Sequence, residues 1–355
     1  MKRRSRLVGL LLALTLAAAS VTGCAGTAAK QNSNSQAEGK KDFKMAMISS
    51  EIGSEAFNLN AYNAMKEASE RYGFKCISIE CTDTTAWEEN TMAVSEEGYD
   101  LIVGVGWNTA EAIAKAADLF PDSTYAVIDT VCDNDKVTSI TFREEEGAYV
   151  QGVMLATAFP EDDLFGCVCS YQTQATYKYR YGYEQGIKSV NPDAKLIYNY
   201  INSYNDTSMV YEYAMQQQAA GCHVVIGSVS SAANAGIYQA CLELAGKGTP
   251  IYTTGLSVDQ TTSDNPYILG GLLKNTGTCM TQIIDNYVNG TLEGGEMSGG
   301  LKEDMFGVVY VTVDGANYRN TDIMTDEVIE AGKAAAEKIK SGEIRVEVPD
   351  EASNP

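Results

Sequence analysis

Histidine is almost absent from this sequence. His223 is the only one in 355 residues, so an imidazole metal cage has no second ligand, and His223 reads as a structural residue before a strand. No Gly-x-Ser-x-Gly elbow and no Gly-rich Lys-Ser/Thr loop occurs, which removes the commonest serine-hydrolase and phosphate-loop signatures. Basic residues are scarce: 26 Lys and Arg stand against 47 Asp and Glu, a formal net charge of −21. A sequence-independent nucleic-acid binder needs a basic face to meet phosphates, so no nucleic-acid partner is expected. The acidity reads as a solvated surface. Beyond the first residues no apolar run approaches the 18 or more that a membrane span requires.

Cysteines are present without their usual spacings. Cys76 and Cys81, and Cys167 and Cys169, lack the two-residue gap of a redox or zinc pair. The eight cysteines after Cys24 lie mostly within apolar runs, where a thiol behaves as a small hydrophobe, and free buried thiols are expected. No metal-ligand cluster and no cofactor motif is expected.

The stretch that organises the chain runs from Gly98 to Asp129. Leu101–Val105 is a short apolar run closed by Gly104 and Gly106, predicting a buried strand and a tight turn. Thr109 is the expected N-cap of a helix whose Ala110, Ile113, Ala114 and Ala117 recur at helical spacing. Tyr125–Ile128 is the next strand, which must be parallel to the first and joined right-handedly. The plan returns about 120 residues later, an interval typical of one domain, in a unit spanning Cys222–Gly255. Two such halves predict an α/β protein of two lobes facing a cleft. Ligands then belong beyond the carboxyl ends of strands, just after Val105, Ile128, Ile226 and Thr253.

From its start the chain shows a basic segment (Lys2, Arg3, Arg4, Arg6), an apolar run Leu7–Val21 and Val21-Thr22-Gly23-Cys24. This order resembles a bacterial lipobox and predicts a signal peptide over 1–23, with Cys24 lipidated. The segment 24–42 is small, polar and free of aromatics, a tether. Folded sequence is expected over 43–142 and 258–303 as lobe 1, and over 143–257 and 304–342 as lobe 2, with 343–355 a tail. In this division Leu269–Lys274 is a lobe 1 strand. Glu144–Glu146 is a solvated crossing before a helix over Ala148–Ala158. Tyr179 and Tyr183 cover the second sheet, and Val328, Gly332, Ala335 and Ile339 mark a closing helix.

Several segments together resemble one family. They are the Phe57-Asn58 entry to the first helix, Gly98–Gly106, Ala126–Asp129, Thr141–Gly147, Asn191-Pro192-Asp193, Ser203–Asp206 and Leu273-Lys274. In order and spacing, from about Lys44 to Gly342, the chain is similar to the basic membrane protein family of lipoproteins, which includes purine nucleoside receptors of ABC importers. The resemblance implies a two-lobed type I periplasmic-binding-protein fold, each lobe a parallel sheet flanked by helices, joined by a multi-strand hinge. It implies that Phe57 and Tyr204 sandwich a base and that Lys274 and an Asp hold a ribose. Asn58, Trp107, Asn108 and Asp129 also stand at strand or helix ends facing the cleft, and Arg180 in the Tyr177–Tyr183 segment suggests a cleft or hinge role. The chain departs from the family's pattern twice. Ser50 stands where an Asp usually follows the first strand, and Ser257 replaces the first Asp of Gly-Val-Asp-Ser-Asp-Gln. Ser257 is a weaker, neutral partner for a ribose than a carboxylate.

The leading reading is a lipid-anchored receptor, expected to act as a monomer, on the outer face of the cell membrane. It delivers a small flat solute, a nucleoside or nucleobase, to an ABC permease. A non-nucleoside solute, a surface sensor or an adhesin are the alternatives; an enzyme on this scaffold lacks a nucleophile–base pair.

Overall fold

The computed structural model describes residues 42–52, 56–313 and 315–349. The signal segment, Cys24 and most of the tether lie outside the described residues. The remainder forms one compact unit.

The first sheet grows from β1 (Lys44–Ser49), β2 (Lys75–Glu80), β3 (Leu101–Val105), β4 (Thr124–Ile128) and β5 (Thr138–Phe142). All are parallel, in the order 2-1-3-4-5, and β11 (Gly295–Gly299) adds in parallel beyond β5. Period-2 alternation sends β1 side chains to two cores. Met45 and Met47 join one with α1 (Ala56–Tyr72) and α8 (Thr276–Asn289), while Ala46 and Ile48 join the other with α2 (Thr84–Glu96) and α3 (Ala110–Leu119).

The second half repeats this plan. Strands β6 (Leu164–Cys169), β7 (Lys195–Tyr200) and β8 (Val225–Ser228) pair in parallel in the order 7-6-8. A parallel bridge between Val224 and Tyr252 continues the sheet into β9 (Thr253–Gly255), and β10 (Ile268–Lys274) pairs with β9. β12 (Phe306–Val308) closes the edge antiparallel to β10. Helices α4 (Glu144–Ala158), α5 (Gln174–Val190) and α9 (Asp326–Lys340) cover one face. Helices α6 (Thr207–Ala219) and α7 (Ala235–Gly246) cover the other. Val328, Gly332, Ala335 and Ile339 are buried on α9, as the periodicity predicts.

The chain passes between the sheets at Arg143, at Asn275 and between Gly299 and Phe306. These crossings lie side by side: Arg143 N donates to Gly299 O at 2.8 Å and Asn275 N to Met305 O at 2.9 Å. Arg143 also donates to Glu146 Oε1 at 2.5 Å, to Ser298 O at 2.7 Å and to Glu303. This makes the multi-strand hinge of a type I binding fold.

Four sequence expectations are corrected. Leu269–Lys274 does not enter the first sheet but pairs with β9 and β12, because strand apolarity reports burial and not partner. The helix after the first crossing begins at Glu144, four residues earlier than expected, so the glutamates form its first turn. Glu144 is buried rather than solvated. Thr109 stands at the N-cap position of α3 but does not cap it; its hydroxyl donates backward to Gly106 O at 2.8 Å, closing the turn Trp107–Thr109. Tyr179 and Tyr183 are buried, as expected. The eight described cysteines are free thiols, seven of them buried.

Candidate functional site

The carboxyl ends of β4, β9 and β10 meet at the hinge. Asp129 follows β4 with φ 70°, and Ser257 follows β9 with φ 69°. Such left-handed backbone suits Asp because its short side chain can bond locally. Asp129 N donates to Ile140 O at 2.8 Å, which fixes the turn against β5. Lys274 ends β10; its backbone N donates to Ser257 O at 3.0 Å, and its Nζ lies 2.5 Å from Asp129 Oδ1 and 3.4 Å from Glu144 Oε1. Lys178 of α5 holds the other oxygen of Glu144 at 3.1 Å and donates to Phe142 O at 2.6 Å.

Two ammoniums and two carboxylates therefore alternate in a chain at the strand ends beside the hinge. Their side chains are 11% exposed for Lys274, 23% for Asp129 and 4% for Glu144, so little water screens them. Burial opposes the charge on Lys274, but Asp129 and Glu144 outweigh it and hold its pKa well above the ordinary lysine value. The ring of Phe142 adds a cation–π contact, 5.1 Å from Nζ.

Aromatic side chains from both sheets also meet at strand ends. Trp107 follows β3 in a turn set by Gly106, whose φ is 99°. Tyr204 lies in the turn after β7, where Ser203 Oγ accepts from Asn205 N and Asp206 N, and Ser230 Oγ donates to Tyr204 O. Asp206 then caps α6 through Met209 N at 2.9 Å. The Trp107 and Tyr204 rings are 6.2 Å apart, and Tyr171, which follows β6, is 4.8 Å from Tyr204.

The other predicted residues fall into three places. Asn58 is buried in the first turn of α1 and donates to Ser50 Oγ at 2.9 Å and Glu51 O at 3.2 Å, so it ties Ser50 to the helix. Phe57 is half-buried against the core, with its carbonyl accepting from Thr276 Oγ1 at 2.6 Å. Asn108 is half-buried in the turn beside Trp107. Arg180 is buried, its guanidinium 4.2 Å from the Tyr198 ring centre and 4.3 Å from that of Tyr181. His223, outside the site, pairs with Asp162 at 2.8 Å.

The structure thus brings Asp129, Lys274 and Ser257 together, and Trp107 with Tyr204. Glu144, Lys178 and Tyr171 are additions to the predicted set. Glu144 and Tyr171 each stand two residues beyond the end of a strand, β5 and β6. The strand-end rule that singled out Asp129 points to them as well.

Two sheets, the first parallel and the second parallel but for the edge strand β12, three side-by-side crossings, and polar and aromatic groups gathered at the strand ends fit a hinged binding protein for small solutes. The comparisons agree. Residues 43–350 match the family model described as ABC transporter substrate-binding protein PnrA-like (Bmp), and the chain belongs to that family. It is 25% identical to the ABC transporter nucleoside-binding protein BmpA of Lactococcus lactis, over 93% of this chain and 96% of that one. It is 28% identical to an uncharacterized lipoprotein of Pyrococcus horikoshii, over 97% and 91%. A solute-binding protein of an ABC transporter system from Aeropyrum pernix superposes with TM-score 0.70 at 23% identity, over 87% of this chain and 94% of that one, and shares the fold. The chain is therefore a substrate-binding protein of an ABC transporter, which captures a small solute for a permease and is not an enzyme.

Proposed function

We propose that the solute is a nucleoside or nucleobase, and that the protein acts as a monomer anchored by lipid at Cys24 on the outer face of the cell membrane. Two observations support the reading: Asp129, Lys274 and Ser257 meet at strand ends, and the Trp107 and Tyr204 rings, from strand ends of the two sheets, face each other. A base presents flat π faces for the rings, and a ribose presents hydroxyls for the polar groups. Tyr204 and Phe57 stack on the base, Asn108 supplies a polar contact from the first sheet's side, and Asn58 and Ser50 hold the turn that presents Phe57. The printed name of the Lactococcus relative supports the choice of solute, and that of the Pyrococcus relative supports the anchor. Among the described residues no helix is long and apolar enough to cross a membrane.

A thermal-shift screen against nucleosides, free bases, sugars and amino acids tests the solute. A ligand at 100 times its dissociation constant stabilises by about 2.7 kcal/mol. A larger shift with inosine, guanosine or adenosine than with the bases is the expected result, and it means the neutral Ser257 suffices for the ribose. A shift with sugars alone refutes the reading. Metabolic labelling with a palmitate analogue tests the anchor: label lost on Cys24→Ala is expected, and label retained refutes it.

A further inference from the structure

We propose that Arg143 is a positioning residue for solute capture: its guanidinium clasps the two halves of the molecule in a drawn-together arrangement and so sets how readily the cleft opens. The inference concerns the hinge and holds for any small solute.

The first observation is where the side chain reaches. Arg143 is itself the first crossing between the sheets. Its Nε donates to Glu146 Oε1 at 2.5 Å, in the first turn of α4 on the second half. Nη1 donates to Ser298 O at 2.7 Å, on β11 of the first sheet, and Nη2 donates to Glu303 in the third crossing. One planar fork thus touches both halves and the segment between them, a reach that a lysine ammonium lacks. Rotation of one half against the other changes the distance from Ser298 to Glu146, so the three contacts do not all survive opening.

The second is how firmly the partners are held. Glu146 Oε2 accepts from Leu301 N at 2.8 Å, and Glu303 Oε2 accepts from Gly300 N at 3.0 Å. A Cβ on Gly300 would lie 2.1 Å from Glu146 Oε2 and 3.0 Å from Arg143 Nε, so the loop comes this close only with glycine there. The Arg143 and Glu146 side chains are 28% and 14% exposed, and hydrogen bonds between ions are stronger than neutral ones.

The third is the link to the cleft. Glu144 and Glu146, two residues apart, stand on opposite sides of the first turn of α4. Glu144 reaches Lys274 and Lys178, so the turn that Arg143 holds is the turn that carries the strand-end charges. The Trp107 and Tyr204 rings, one from each sheet, are 6.2 Å apart, which marks the halves as drawn together while the clasp is made. Beside the guanidinium lies a cavity of about 490 Å³ lined by Arg143, Glu145, Glu146, Ile339, Ile344 and Val346. The clasp therefore has room to release without displacing packed atoms.

The test compares the full chain with Arg143→Gln, Arg143→Lys and Glu303→Gln. Small-angle X-ray scattering of the ligand-free protein reads the separation of the halves with no solute involved. The expected result is a larger radius of gyration in Arg143→Gln than in the parent, with smaller increases in Arg143→Lys and Glu303→Gln. With inosine and adenosine as probes, koff of Arg143→Gln should rise by at least about tenfold, the equivalent of one hydrogen bond to a charged group, with kon little changed. Glu303 is 37% exposed, so Glu303→Gln should fold and carry the test if Arg143→Gln does not. A merely structural Arg143 would lower the melting temperature and leave the radius of gyration and koff at the parent values. That outcome in a folded variant overturns the clasp. Silence of the parent toward every nucleoside and base overturns the nucleoside reading instead, and the scattering still decides the clasp.

Discussion

Replacing Lys274 by Met should be among the most damaging single changes in the site, for reasons set by its two carboxylate contacts. The side chain is 11% exposed and touches Asp129 at 2.5 Å and Glu144 at 3.4 Å. Two unit charges 4 Å apart attract by about 4 kcal/mol at an effective dielectric of 20. Desolvating the ions returns much of this, so the net worth of the intact cluster is small. Deletion is different, because it strands what remains. Without Lys274, Asp129 loses the cation it touches and keeps only the more distant Lys178, which also remains as the one partner of Glu144. Removing one partner of a buried pair costs about 3–5 kcal/mol, and Lys274→Met should fall in that range in urea unfolding with an unchanged m-value. Asp129→Asn should cost less, because Lys274 keeps Glu144. The double variant should cost less than Lys274→Met alone, since no carboxylate is then stranded at Asp129. A Lys274→Met loss under about 1 kcal/mol, or a double variant less stable than Lys274→Met, would refute the argument.

Glu145 titrates against stability. Burial lifts its carboxyl to about 7, with Glu144 and Glu146 adding to the rise and Lys178 opposing it. The folded state then binds a proton that the unfolded chain releases near 4.5, so stability should fall as pH rises from about 4.5 to 7 and level off above. The span is at most about 3 kcal/mol, and Glu145→Gln should flatten that part of the pH profile in chemical denaturation; an unchanged slope would sink this assignment. Gly186→Ala should cost roughly 3 kcal/mol or more, since its Cβ would lie 2.1 Å from the Tyr149 carbonyl oxygen, where α4 and α5 touch. Thermal melting reads this directly, and a variant as stable as the parent contradicts the packing. In the native state a thiol reagent at neutral pH should label Cys76 fast and the other seven described cysteines slowly, with all eight labelled in guanidinium. Burial pushes the Cys132 thiol up to about 11 and the Cys222 and Cys279 thiols to about 12; rapid native labelling of all eight would mean the core is open.

The repeated strand–helix–strand units were legible because each strand is a continuous apolar run, and burial on both faces leaves that mark. β11 left none. Its sequence, Gly-Glu-Met-Ser-Gly, alternates exposed and half-buried positions on a sheet edge, and its pairing to β5 comes from a partner remote in the chain. Leu269–Lys274 was legible as a strand and misassigned to the first sheet for the same reason. A run of Glu likewise reads as solvated until Lys178 and Lys274, which reach Glu144 only through the fold, are in place. Local pattern reports how a segment is buried; who buries it is a long-range fact.

The two serines at unusual positions acquire a physical context from the charge pattern. Ser50 is taken up by Asn58 in fixing the turn before α1, a local duty in which a hydroxyl acceptor suffices. Ser257 stands where β9 ends, as Asp129 stands where β4 ends, and the two residues share a left-handed backbone on equivalent strands of the two sheets. Lys274 meets one through its side chain and the other through its backbone. Asp129 and Glu144 already match the ammoniums of Lys274 and Lys178 charge for charge, and neither ammonium is left spare. The neutral Ser257 adds no charge to this balance.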